Sequence, residues 1–209
     1  LRFHLYYNAW RNNKSSFFKS VRYDSFNSSR YRDDEWAYSD VKSMRITYED
    51  GREVDLTPQL TFIQPDDGNP DDRTVLQAPL AEPVESGSKV TVSIEWEAKV
   101  PRAFARTGAI GDYYFVAQWF PKIGVFEANG TWKSHQFIQT EFYADYGNYD
   151  VSMTVPTGWV VGATGQERSQ QDNRDGTTTH RYYQEDVHDF VWTANPYAQV
   201  YMALFEDPS

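Results

Sequence analysis

Metal binding is the first chemistry to weigh, because it asks only for a few convergent side chains. Zinc takes three or four nitrogen, sulfur or oxygen ligands. The chain offers His4, His135, His180 and His188, and it has no cysteine. None of the four stands in a His-Glu-x-x-His spacing. His180 and His188 would share a face only on one unbroken strand, and Gln184-Glu185-Asp186 between them reads as a turn. All four therefore read as structural or surface histidines. Calcium takes six to eight oxygens, and Asp66-Asp67-Gly68-Asn69-Pro70-Asp71-Asp72 gathers several in one stretch. It lacks the EF-hand order. Asp and Asn also favour turns simply because their side chains bond nearby backbone groups, so the stretch reads as a turn.

Other chemistries find less. There is no Gly-x-Ser-x-Gly elbow, no phosphate loop and no cysteine nucleophile. Glu95 and Glu97 are a carboxylate pair of the kind glycoside hydrolysis uses, yet they alternate on the polar side of one strand. What remains is aromatic. Tyr113-Tyr114-Phe115 cannot all point inward, because successive strand side chains face opposite ways. No charged residue occurs from Tyr113 to Pro121, in a chain that is 24% charged. Interface cores are depleted of charge and enriched in aromatics. Tyr113, Trp119 and Trp132 are therefore candidates for a partner interface or a sugar platform.

These residues need a scaffold. Val90, Val92, Ile94, Trp96, Ala98 and Val100 alternate strictly with polar residues from Lys89 to Val100, as on a strand with one face on a core. Tyr149 to Val155 repeats the pattern. Asp50-Gly51 and Asp175-Gly176 are hairpin signals. Leu1 to Trp10, Val41 to Tyr48, Glu53 to Leu56, Gln59 to Ile63, Thr74 to Pro79, Thr177 to Gln184 and Phe190 to Thr193 also read as strands. Val200 to Phe205 is apolar on both faces. Ser16 to Val21 suggests a turn of helix, Arg22 to Asp40 a long surface loop, and Gln166 to Gly176 a polar stretch ending in a hairpin turn. No helical period extends over a dozen residues. The expectation is an all-β, antiparallel β-sandwich of one domain over residues 1–209.

The formal net charge of −10 disfavours nucleic acid, whose phosphates it would repel. The same field attracts cations, such as the free amino end of a peptide. No apolar run approaches the roughly 18–20 residues that span a bilayer. Leu1 as first residue reads as a processed or excised piece.

Several motifs carry a resemblance. Asp72-Arg73-Thr74-Val75-Leu76, Pro83-Val84-Glu85-Ser86-Gly87 and the strand from Lys89 resemble the N-terminal domain of zinc aminopeptidases of the aminopeptidase N type, which are gluzincin metallopeptidases. Gln118-Trp119-Phe120-Pro121-Lys122, the run from Phe142 to Val151, Val161-Gly162-Ala163-Thr164-Gly165 and the run from Asp186 to Thr193 are similar to a divergent bacterial branch of them. The resemblance implies a saddle-like β-sandwich, inactive by itself, that caps a downstream catalytic domain. Zinc and its His-Glu-x-x-His ligands would lie in that domain, and this chain would bind none. It implies a docking face around Tyr113, Trp119 and Trp132, a peptide substrate, and an exported or periplasmic bacterial setting. In the family a Thr-Gln pair places its Gln near the substrate amine. Ala117-Gln118 is the match, with Ala in place of Thr, so Gln118 is the implied substrate-binding residue. A stand-alone carbohydrate-binding or protein-docking module is the alternative.

Overall fold

A computed structural model describes residues 1–20, 32, 34–102, 106–138, 143–201 and 203. Strands account for 45% of the chain and helices for 7%, far below the third or so that is helical in a typical globular protein. The sheets are antiparallel, and none closes into a barrel among the described residues. No described helix is long and apolar enough to cross a membrane.

In chain order the strands are β1 (Arg2–His4), β2 (Tyr38–Tyr48), β3 (Glu53–Asp55), β4 (Thr61–Phe62), β5 (Val75–Gln77), β6 (Val90–Lys99), β7 (Gly108–Ile110), β8 (Tyr113–Val116), β9 (Lys122–Ile123), β10 (Val125–Phe126), β11 (Trp132–Lys133), β12 (Gly147–Pro156), β13 (Val160–Ala163), β14 (Gln166–Asp172), β15 (Thr177–Val187) and β16 (Trp192–Asn195). One short helix, α1, covers Ser16–Lys19. The chain forms two compact units, Leu1–Gly108 with Gln118–Tyr146, and Ala109–Ala117 with Gly147–Ser209.

In the first unit, β4-β5-β1-β9 and β3-β2-β6 form two sheets. Phe3, Leu5 and Leu76 meet Met44, Ile46 and Leu56 in a shared core. The apolar face of β6 supplies Val90, Val92 and Ile94 to it, while Thr91, Ser93, Glu95 and Glu97 are exposed, as the alternation predicts. A second cluster is aromatic. It gathers Tyr6, Tyr7, Trp10, Phe17 and Phe137, with the Trp10 and Phe137 rings edge-on at 5.9 Å.

That cluster corrects the expected first strand. Only Arg2–His4 is strand, and Tyr6–Trp10 is a 3-10 helix whose five residues are all buried. A strand would turn alternate residues to opposite faces, whereas this helix buries the whole run. Asn8 makes that possible. Its amide donates to Ser39 O and Arg73 O, both at 2.9 Å, and its oxygen accepts Ser39 N at 2.9 Å.

In the second unit, β12-β15-β14 and β13-β16-β8-β7 form two sheets. The Tyr182 hydroxyl donates to Val161 O at 3.1 Å and ties one to the other. Met153 and Val155 of β12 are buried, and Ser152 and Thr154 are exposed. Two expectations change here. The polar stretch after Gly165 is itself a strand, β14, with all seven residues exposed. The expected turn at Gln184-Glu185-Asp186 does not form, because β15 runs through to Val187. Asp186 takes a left-handed φ of 52° there, and its N–H donates to Asn148 Oδ1 at 3.1 Å. Val21 of the expected helical turn, residues 22–31 and 33 of the expected loop Arg22–Asp40, and Met202, Leu204 and Phe205 of the last apolar run lie outside the described residues, as do residues 206–209.

Gly165 is a position where glycine is required. Its φ is +86°, and a Cβ there would overlap Tyr183 O and sit 2.7 Å from Gln184 Cβ. Left-handed backbone costs an L-residue about 1–2 kcal/mol, and overlap with backbone adds to it. Gly165→Ala should lower stability by about 2–3 kcal/mol. Gly158, at φ +88° with nothing within 4 Å of such a Cβ, should lose only the backbone part. Urea midpoints of the two variants check this, and equal losses would contradict it.

Candidate functional site

His4 ends β1, and its neighbours in register are Val75 on β5 and Lys122 on β9. Residues opposite one another in a ladder share a face. The three therefore lie on the side of the sheet away from Phe3 and Leu76. All are buried, His4 to 3% exposure and Lys122 to 3%. The His4 ring stacks on Tyr6 at 4.9 Å and 5°. Neither ring nitrogen has a hydrogen-bond partner among the described residues. Burial, and then the nearby charges of Lys122 and His135, lower its pKa to about 4, so the ring is neutral at pH 7.

His4 lines a cavity of about 270 Å³, with Tyr6, Glu127, Lys133, His135, Phe137 and Tyr143. The hairpin of β10 and β11 supplies Glu127 and Lys133. Its turn closes through Glu127 N to Thr131 O at 2.9 Å, with Gly130 at φ +80°. The Tyr143 hydroxyl donates to Glu127 Oε1 at 3.0 Å.

The acidic turn holds the far side. Asp66 accepts His135 Nδ1 at 2.7 Å and Gln136 N at 2.6 Å. Buried Gln136 accepts Asp66 N and Asp67 N, and donates to Ser16 Oγ at 3.0 Å and Asp67 Oδ1 at 2.8 Å. Asp72 accepts Ser16 N and Thr74 N. The carboxylates of this stretch are thus spent on folding the turn and on fixing His135, in line with its reading as a turn.

The four histidines part company in space. His4 and His135 line one cavity in the first unit. In the second, His180 Nδ1 meets Glu167 Oε1 at 2.7 Å. No group of three or more His, Asp or Glu is placed to hold a metal ion among the described residues. The paired Glu95 and Glu97 stay on the outer face, Glu97 taking the Tyr38 hydroxyl at 2.5 Å and Lys42 at 3.0 Å.

Gln118 is buried, with a left-handed φ of 56°. Trp119 is half-buried. It packs on the aromatic cluster of the first unit, with Trp96 at 5.9 Å and Phe120 at 5.3 Å. Trp132 is half-buried beside Phe126, which is 57% exposed. Tyr113 belongs to the second unit. It is 46% exposed, on the same side of β8 as Phe115. Phe142 lies outside the described residues. Sequence reasoning missed the cavity. Its members come from β1, the 3-10 helix after it, the β10–β11 hairpin and the segment that follows the hairpin, and no spacing rule joins residues so far apart. A histidine inside an apolar first strand was the one available signal.

No protein-family model matches the chain, and no curated protein matches it.

Proposed function

We propose that the chain is a non-catalytic β-sandwich domain of a zinc aminopeptidase-type protein. In this reading it caps the active site of a downstream catalytic domain and holds the amino end of a peptide substrate through Gln118. The zinc belongs to that catalytic domain and asks nothing of this chain. The supporting observation is the backbone of Gln118. Three non-glycine residues described have left-handed φ: Gln118, Arg174 and Asp186. The other two are exposed on strand ends and turns, whereas Gln118 is buried at 8% exposure. Strain of about 1–3 kcal/mol persists where a side chain must be aimed. Gln118 also stands in the Gln-Trp-Phe-Pro-Lys motif that carries the resemblance.

Gln118→Gly separates the aim from the fold. Glycine relieves about 1–2 kcal/mol of left-handed backbone strain and gives back about 0.4–1 kcal/mol as entropy of the unfolded chain, so stability should stay within about 1 kcal/mol of the parent. In the full-length protein, KM for substrates with a free amino end should rise about tenfold, with kcat little changed. An unchanged KM, or a full-length protein without a His-Glu-x-x-His helix, overturns the reading.

A further inference from the structure

The cavity at His4 has no part in the role of Gln118, and its composition points to a ligand of its own. Native proteins rarely leave a buried polar side chain unpaired. Here an imidazole exposed to only 3% has both nitrogens without a partner among the described residues, and it lines a cavity. A neutral imidazole offers one N–H and one lone pair, so a bound molecule can satisfy it.

The surrounding charge selects the kind of molecule. In a chain of net charge −10, this cavity is lined by Lys133, with Lys122 in register beside His4. Glu127, the carboxylate of the lining, already accepts the Tyr143 hydroxyl. His135 is turned to Asp66. The donors of the lining without a partner among the described residues are therefore the Lys133 ammonium and the His4 ring, and both suit an oxyanion. The walls are carbon. Tyr6 and Phe137 present rings, packed edge-on at 5.7 Å. A volume of about 270 Å³ is at the small end of ligand sites. An oxyanion with a compact apolar body fits this better than inorganic phosphate, which has no carbon surface for the rings to cover.

We propose that this cavity binds a small carboxylate with an apolar body, its oxygens meeting Lys133 and the His4 N–H and its body lying against Tyr6 and Phe137. Phenylacetate is a suitable probe, with phenylacetamide as its neutral counterpart and inorganic phosphate as an oxyanion without a body. The His4 ring C–H resonances report on the site itself. Phenylacetate should move them saturably, with a Kd of about 1 mM or tighter, and phenylacetamide and phosphate should not. Lys133→Met changes an exposed residue and should weaken binding about tenfold with the fold intact. His4→Phe keeps the stack on Tyr6 and should abolish binding measured by calorimetry. Phenylacetate that leaves the His4 signals unmoved overturns the proposal. So does equal binding of phenylacetamide or phosphate, or unchanged binding by Lys133→Met. Each is independent of whether Gln118 touches a peptide.

Discussion

Asp72→Ala should remove about 4 kcal/mol of folding stability. Asp72 is fully buried. One oxygen accepts Thr74 N at 2.9 Å and the Thr74 hydroxyl at 2.5 Å, and the other accepts Ser16 N at 3.0 Å. The carboxylate thereby fastens the start of α1 to the turn before β5, while the Thr74 hydroxyl receives Phe137 N at 3.2 Å. Alanine leaves two buried N–H groups without an acceptor, each costing about 1–3 kcal/mol, and frees the hydroxyl. Asp71 is the control. It lies in the same acidic run, about half exposed, and meets Lys19 at 3.5 Å. Such a pair contributes little, so Asp71→Ala should stay within about 0.5 kcal/mol of the parent. Urea midpoints decide the matter, and similar losses in both variants would show that Asp72 is not the fastening.

The second large effect is on acid stability. The folded state lowers the His4 pKa from 6.5 to about 4, by burial first and then by the charges of Lys122 and His135. Lys133 and Glu127 line the same cavity. Between these two values the unfolded chain binds a proton that the folded one refuses. Stability is therefore whole above about pH 6.5 and falls as pH drops toward 4, by roughly 3 kcal/mol in all. Carboxylates held down by partners act later. Asp150, stabilised as the anion by hydrogen bonds from Arg181, loses its contribution only below its ordinary 3.8. His4→Phe should flatten the curve between pH 6.5 and 4 and be no less stable than the parent at pH 7, since it removes two buried polar atoms that have no partner among the described residues. Denaturation midpoints across that range give the answer. A parent curve already flat there would mean that His4 is not the buried base.

The strands that could be read in the sequence are those with one wet face. β6 and β12 alternate because water on one side and core on the other impose a period of two. The turns at Asp50-Gly51 and Asp175-Gly176 were legible because their backbone needs a left-handed glycine, at φ 83° and 88°. Elements without that asymmetry were not. Tyr6–Trp10 is buried all round, so its pattern is uniform and its helix invisible. β14 is wet on both faces, so it looks like a loop, and its pairing with β15 defines it. The continuation of β15 through Asp186 depends on Asn148, which is far away in the chain. The cavity was hidden for a similar reason. His4 and Lys122 are neighbours only through the β1–β9 ladder. Gln118 was singled out by its motif, and nothing in its surroundings foretold the left-handed backbone.

The uniform polarity of β14 has a consequence for how the molecule behaves in a crowd. β14 is an outer strand of its sheet, and such a strand presents unpaired N–H and C=O groups that any stray extended chain could adopt. Glu167, Arg168 and Asp172 put charge along it, and its register shifts between Glu167 and Ser169. A newcomer would have to bury those charges and match a broken ladder. The stretch with the least core character thus makes this edge of the sheet a poor template for fibrous growth.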